Sequence, residues 1–181
     1  ARRNHRRHPV TVALAIPALA VRRVPLAALT GAGAPQLGGL VYGVQCEPGA
    51  EHAGLADVDT LRLLPDAPMV DLWCSDAAVH SGRQGSLHWR HDGHWLWGTA
   101  SLAEGGDGIA VLARHAYAQI FQLLQQFGGL RLQRLWNYLP GINVEVDGLE
   151  RYRQFNVGRQ QAFLDAHCAA FEGAPAACAL G

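Results

Sequence analysis

Two arginines in the second half of this 181-residue chain occupy positions whose pattern asks for apolar side chains. Arg134 falls in the run Leu130–Tyr138, where strand alternation gives it a face shared with Leu130, Leu132, Trp136 and Tyr138. Arg159 falls on or beside a helical stripe of Tyr152, Phe155, Ala162 and Phe163. A guanidinium withdrawn from water is costly unless something anionic meets it. Its planar fork suits a carboxylate of the protein and a carboxylate of a ligand equally well. For Arg134 the protein candidates are Glu145, Asp147 and Glu150, and for Arg159 they are Asp165 or a helix C-terminal carbonyl. Trp136, Asn137 and Tyr138 beside Arg134 are residue types that line small-molecule pockets. Tyr152, Phe155 and Phe163 read most simply as helix core, and Arg153 and Asn156 as surface.

Other reactive residues give weaker signals. His88, His91 and His94 are spaced three apart but straddle a turn, so strand geometry sends them apart and no metal site is expected. The cysteines at 46, 74, 168 and 178 form no C-x-x-C pair and read as reduced thiols of a cytoplasmic protein. All 15 basic residues are Arg. Without a lysine amine there is no Schiff-base or P-loop chemistry. No serine elbow or H-E-x-x-H motif is present. A formal net charge of zero gives no global attraction to nucleic acid or membrane, and Arg2, Arg3, Arg6 and Arg7 read as a solvated tail. The apolar run Val10–Ala20 ends in Ala18-Leu19-Ala20 like an export signal, but Pro17 interrupts it and Arg22-Arg23 follow directly. No apolar stretch reaches the ~20 residues needed to span a bilayer.

The elements that must position these residues follow from pattern. Residues 1–36 form a basic, irregular N-terminal segment, with an early strand as its alternative ending, and 37–181 form one α/β domain. Gly38–Val44 and Met69–Cys74 read as strands, and Pro48–Pro68 as a loop touched by Leu61, Leu63 and Leu64. A polar loop carries Ser81-Gly82-Arg83. Ser86–Arg90 and Trp95–Ser101 flank an Asp92-Gly93 turn and predict a hairpin. Asp107 caps a helix with a core face of Ile109, Leu112, Ala116, Ile120, Leu123 and Phe127, stopped by Gly128-Gly129. After the Leu130–Tyr138 strand, Asp147 and Glu150 form a capping arrangement for a second helix from Leu149 to about Phe171. Gly158 within it implies close packing, and Ala176–Leu180 is a last strand. This order predicts an α/β sandwich, one mixed sheet with two helices on one face.

The run Arg134-Leu-Trp-Asn-Tyr-Leu-Pro-Gly-Ile-Asn143 resembles the R-x-W-N-Y-x-P-x-I-N motif of the chorismatase family. Gly148-Leu-Glu-Arg-Tyr-Arg-Gln-Phe-Asn-Val-Gly-Arg159 resembles that family's G-L-E-R-Y-x-x-F-x-x-G-R stretch. His91-Asp92-Gly93, Trp97-Gly98, Ala116-Tyr117 and the closing Pro175–Gly181 fit the same pattern, so the likeness covers roughly Leu37 to Gly181. The resemblance implies a Rid-like (YjgF-type) α/β half of a two-domain enzyme. That enzyme cleaves chorismate and releases pyruvate, leaving a dihydroxycyclohexadiene carboxylate or a hydroxybenzoate, with no metal or organic cofactor. It implies Arg134, Asn137 and Tyr138 as substrate-binding residues, with Trp136, Tyr152 and Arg159 in support. The acid, a glutamate, is expected in the second domain, so no catalytic residue is assigned within this chain. The implied partner is that second domain in cis. A stand-alone homotrimeric module handling small imine or enamine acids, or a non-catalytic remnant, are the alternatives.

Overall fold

The computed structural model describes residues 18–31, 35–43, 54–58, 67–167 and 175–181. In chain order the elements are β1 (Leu19–Pro25), a 3-10 helix (Leu26–Gly31), β2 (Gln36–Tyr42), β3 (Leu55–Val58), β4 (Met69–Ser75), β5 (His80–Gln84), β6 (Leu87–His91) and β7 (Leu96–Thr99). They continue with α1 (Gly108–Phe127), β8 (Arg134–Tyr138), β9 (Glu145–Val146), β10 (Leu149–Glu150), α2 (Arg151–Ala166) and β11 (Ala176–Leu180).

The architecture is α/β, but the single mixed sheet expected from the sequence is divided. Among the described residues there is a four-stranded mixed sheet in the order β1-β4-β2-β3 and a three-stranded antiparallel meander β5-β6-β7. Two smaller pairs complete the set, parallel β8–β11 and antiparallel β9–β10. Side-chain contacts link the four-stranded sheet, the meander and the β8–β11 pair, tryptophans among them.

Several local expectations hold. The hairpin forms with His91 opposite Leu96, and Gly93 takes a positive φ of 99° in its turn. The first helix stops at Gly128, whose N–H donates to the Leu124 carbonyl. The last strand runs Ala176–Leu180. Others give way. Ser81-Gly82-Arg83 is not a loop: it lies in β5, paired with β6, where Gly82 stands opposite Trp89 and leaves room for its ring. The described part of the N-terminal segment is not irregular, since β1 pairs along β4 and a 3-10 turn follows. The loop expected over Pro48–Pro68 contains β3, parallel to β2, while Leu61, Leu63 and Leu64 lie outside the described residues.

The second helix starts later than expected, and Asp147 does not cap it. Asp147 and Gly148, with φ of 55° and 77°, make the two-residue turn of the β9–β10 hairpin, where both central positions require positive φ. Glu150 is the N-cap, without a side-chain capping bond. The strand Leu130–Tyr138 shortens to Arg134–Tyr138, leaving Leu130 and Leu132 as half-buried packing ahead of it. Two apolar clusters form. Leu29, Val41, Val70, Leu72 and Cys74 fill the four-stranded sheet's inner face, and Ile109, Ala113, Tyr117, Phe121, Leu124, Phe155 and Ala162 join the helices. No described helix is long and apolar enough to cross a membrane.

Candidate functional site

Three tryptophans from three separate sheets meet at one point. Trp73 of β4 lies 4.6 Å from Trp97 of β7, and Trp136 of β8 lies 5.5 Å and 5.6 Å from the two. All three are tilted or edge-on, the geometry the ring quadrupole favours. The close approach needs a residue without a side chain opposite Trp73. A Cβ at Gly38 would stand 2.1 Å from Cδ1 of Trp97. The indole Nε1 of half-buried Trp97 donates to the Gly54 carbonyl at 2.8 Å, so its polar end is satisfied.

Beside this cluster opens a cavity of about 1720 Å³ between β7, β8 and α1. Its wall is largely apolar, with Leu40, Leu112, Ala116 and Ile120 facing it beside the tryptophans. Arg131 and Arg134 lie on its rim. At one end Arg151 donates from Nη1 and Nη2 to the Glu104 carboxylate at 2.9 Å and 2.6 Å, and that bond holds the Glu104 carboxyl below its usual range.

Arg134 is exposed, not withdrawn from water as its pattern suggested, and it stands at the cavity's edge. Its guanidinium carbon lies 5.2 Å over the Trp136 ring. Among the described residues no carboxylate pairs with it: Glu150 pairs with Arg153 at 3.6 Å, and Glu145 and Asp147 are exposed on the hairpin. The protein-carboxylate alternative for Arg134 is therefore not realised.

The remaining expected site residues divide by strand alternation. Tyr138 shares the Arg134 and Trp136 face. Burial pushes its phenol up, with Cys178 and Asp71 adding to the rise and Arg134 opposing it. Asn137 points the other way. Its Oδ1 accepts from the Tyr117 hydroxyl at 3.0 Å and its Nδ2 donates to the Cys178 carbonyl at 2.9 Å. Asn137 thus braces β8 between α1 and β11, with its amide already committed, rather than standing beside Arg134. Arg159 is half-buried, 6.0 Å over the Phe163 ring, and its charge partly offsets the burial that raises the Tyr117 pKa. It does not pair with Asp165, which Arg114 holds at 2.7 Å. Tyr152 is 39% exposed and lines a separate cavity of about 310 Å³ with Ile142 and Leu180, away from the tryptophans. The three histidines stay apart: His91 packs on Phe127, while His88 and His94 are exposed.

Two polar groups escaped the sequence reading. Asp92, expected in the hairpin turn, is buried and accepts from Ser75 Oγ at 2.5 Å and from the Trp95 and His94 N–H groups. Burial raises its carboxyl, but these donors outweigh it and hold the group below its ordinary range. The second group is Asp71, which accepts two bonds from Arg23 at 2.8 Å and 3.2 Å. Burial and Asp71 together push the Tyr42 phenol up to about 12. Only strand register, Arg23 opposite Asp71, brings that set together, and no spacing in the sequence encodes it.

Residues 71–181 match the family described as "Chorismatase FkbO/Hyg5-like, N-terminal". A 3-hydroxybenzoate synthase of Streptomyces hygroscopicus is 31% identical over 148 residues, covering 80% of this chain and 43% of that protein. A chorismatase of Streptomyces rapamycinicus is 38% identical over 117 residues, covering 64% of this chain and 34% of that protein. A crystal structure of a chorismatase superposes with a TM-score of 0.74 at 29% identity, over 84% of this chain and 47% of that one. The chain spans less than half the length of each of these relatives. With the R-x-W-N-Y motif on the cavity wall and the match covering more than half of its residues, the chain belongs to the chorismatase family.

Proposed function

We propose that this chain is the N-terminal, Rid-like part of an enzyme that cleaves chorismate, releasing pyruvate and leaving a dihydroxycyclohexadiene carboxylate or a hydroxybenzoate. Family membership supports the substrate. The observation that carries the role of this chain is Arg134, a guanidinium with no carboxylate partner among the described residues, on an aromatic face at the edge of an apolar cavity. Chorismate is a dianion with an unsaturated ring. A cation that offers its fork to a carboxylate while apolar walls receive the ring suits both features. Tyr138, on the same face, supplies a phenol, protonated at neutral pH and so a hydrogen-bond donor to the same anion. The residue that protonates the enol ether belongs to the second domain of the complete enzyme, which acts in the cytoplasm without metal or organic cofactor. Asn137 braces β8, and Arg159 covers the Phe163 ring on its own helix. Tyr152 has no part in the pocket.

The test is pyruvate release from chorismate, followed with a coupled lactate dehydrogenase, for this chain alone and for the chain joined to a second half. Arg134→Ala in the joined enzyme is expected to lower kcat/KM at least tenfold, about 1.4 kcal/mol. An unchanged rate removes Arg134 from the substrate site.

A further inference from the structure

We propose that Trp136 is a positioning residue that sets the guanidinium of Arg134 for its anionic ligand. The proposal rests on the reading of Arg134 given above. An exposed arginine on an edge strand ordinarily samples many rotamers, and binding an anion would then cost the entropy of ordering it. Arg134 has no carboxylate to hold it among the described residues. The contact the structure provides is the Trp136 ring, 5.2 Å from the guanidinium carbon. Placed over the ring, the guanidinium keeps the N–H donors that point away from it available to meet a carboxylate.

The platform is itself fixed. Trp136 is wedged edge-on against Trp73 and at a tilt against Trp97, each from a different sheet. Strand alternation in β8 puts positions 134 and 136 on one face, so the backbone brings the cation over the ring without strain. An isolated surface tryptophan could turn away from the arginine; one held by two others cannot. The three-tryptophan cluster thus has a role beyond joining sheets, since it fixes the direction from which an anion is met.

Two measurements on the intact chain test this. The first needs no ligand: the Arg134 Nε–Hε and Cδ proton resonances, assigned with Arg134→Ala. Ring current from Trp136 is expected to shift them upfield. Trp136→Phe should reduce the shift, and Trp136→Leu should abolish it with amide resonances elsewhere unchanged. The second is the Kd of chorismate by calorimetry. Trp136→Leu should weaken binding by about 3-fold, and adding it to Arg134→Ala should weaken binding no further than Arg134→Ala alone. Arg134 resonances that do not move on substitution of Trp136, or losses that multiply in the double variant, overturn the proposal. If Trp136→Leu does not fold, Trp136→Phe decides the matter by whether the shift shrinks. An Arg134→Ala variant that binds chorismate as the parent does would sink the substrate reading, while the resonances still decide whether the ring holds the cation.

Discussion

Helix α1 presents one flank to α2 and another to the cavity, and the two are packed differently. On the α2 side Ala113, Tyr117, Phe121 and Leu124 are buried, all but Phe121 also touching the cavity's edge, and Tyr117 meets Phe121, Phe155 and Phe163 at ring separations of 6.1 Å, 6.1 Å and 5.8 Å. On the other side Leu112, Ala116 and Ile120 are half-buried and face open volume. The same helix therefore carries a finished seam and an unfinished one. The finished seam holds the helix still. The unfinished one keeps an apolar surface available, which in a folded domain marks a place for something else.

The sharpest way to break this comparison is to truncate one residue from each flank. Phe121→Ala should cost about 4 kcal/mol, because a buried ring leaves a cavity its neighbours cannot fill. Leu112→Ala should cost about 1 kcal/mol, because its side chain already borders open space. Urea unfolding measures both. Equal costs would mean that the cavity is closed in solution and the two flanks are alike.

The seam can be tested at its narrowest point. A Cβ at Gly158 would stand 1.8 Å from the Ala110 carbonyl oxygen, so the helices touch backbone to backbone there. Gly158→Ala should force them apart and destabilise the fold by about 3 kcal/mol, despite the higher helix propensity of alanine. A neutral or stabilising result in the same unfolding assay would place the helices further apart. This contact was legible in the sequence, because a glycine inside a helix costs stability unless something comes close.

The cavity flank was not legible in the same way. The helical stripe Ile109, Leu112, Ala116, Ile120, Leu123, Phe127 reads as one core face; Ile109 and Leu123 are buried as that reading requires, but the rest of the buried set is Ala113, Tyr117, Gln119, Phe121 and Leu124. Both sets are largely apolar, and periodicity cannot say which one meets α2. Strand alternation did place Arg134, Trp136 and Tyr138 together, but it also separates Asn137 from them, a consequence the composition of the R-x-W-N-Y run obscures. The tryptophan cluster draws on residues 73, 97 and 136, and only tertiary packing joins positions so far apart in the chain.

The smallest effect is expected where the packed seam runs out, at the C-terminal end of α1. There the His91 ring lies 4.6 Å from Phe127, its Nδ1 accepts from the Gly93 N–H at 3.2 Å, and its Nε2 is buried with no hydrogen-bond partner among the described residues. With Nδ1 accepting, the neutral ring carries its proton on Nε2, and a second proton would add charge to a group shielded from water. Burial therefore lowers the His91 pKa below its ordinary 6.5; Asp92 nearby raises it, and His80 and His94 lower it further. In the interval beneath 6.5 the unfolded chain binds more protons than the folded one. The stabilising contribution is thus complete above that pH and is lost as the pH falls through it toward the folded value. Between pH 8 and pH 5 the loss should be small, because the Asp92 carboxylate offsets part of the effect of burial. His91→Gln, which cannot titrate, should flatten that part of the stability curve relative to the parent chain. A curve of unchanged slope would assign the acid sensitivity to other groups and leave the end of α1 as firmly packed at low pH as its middle.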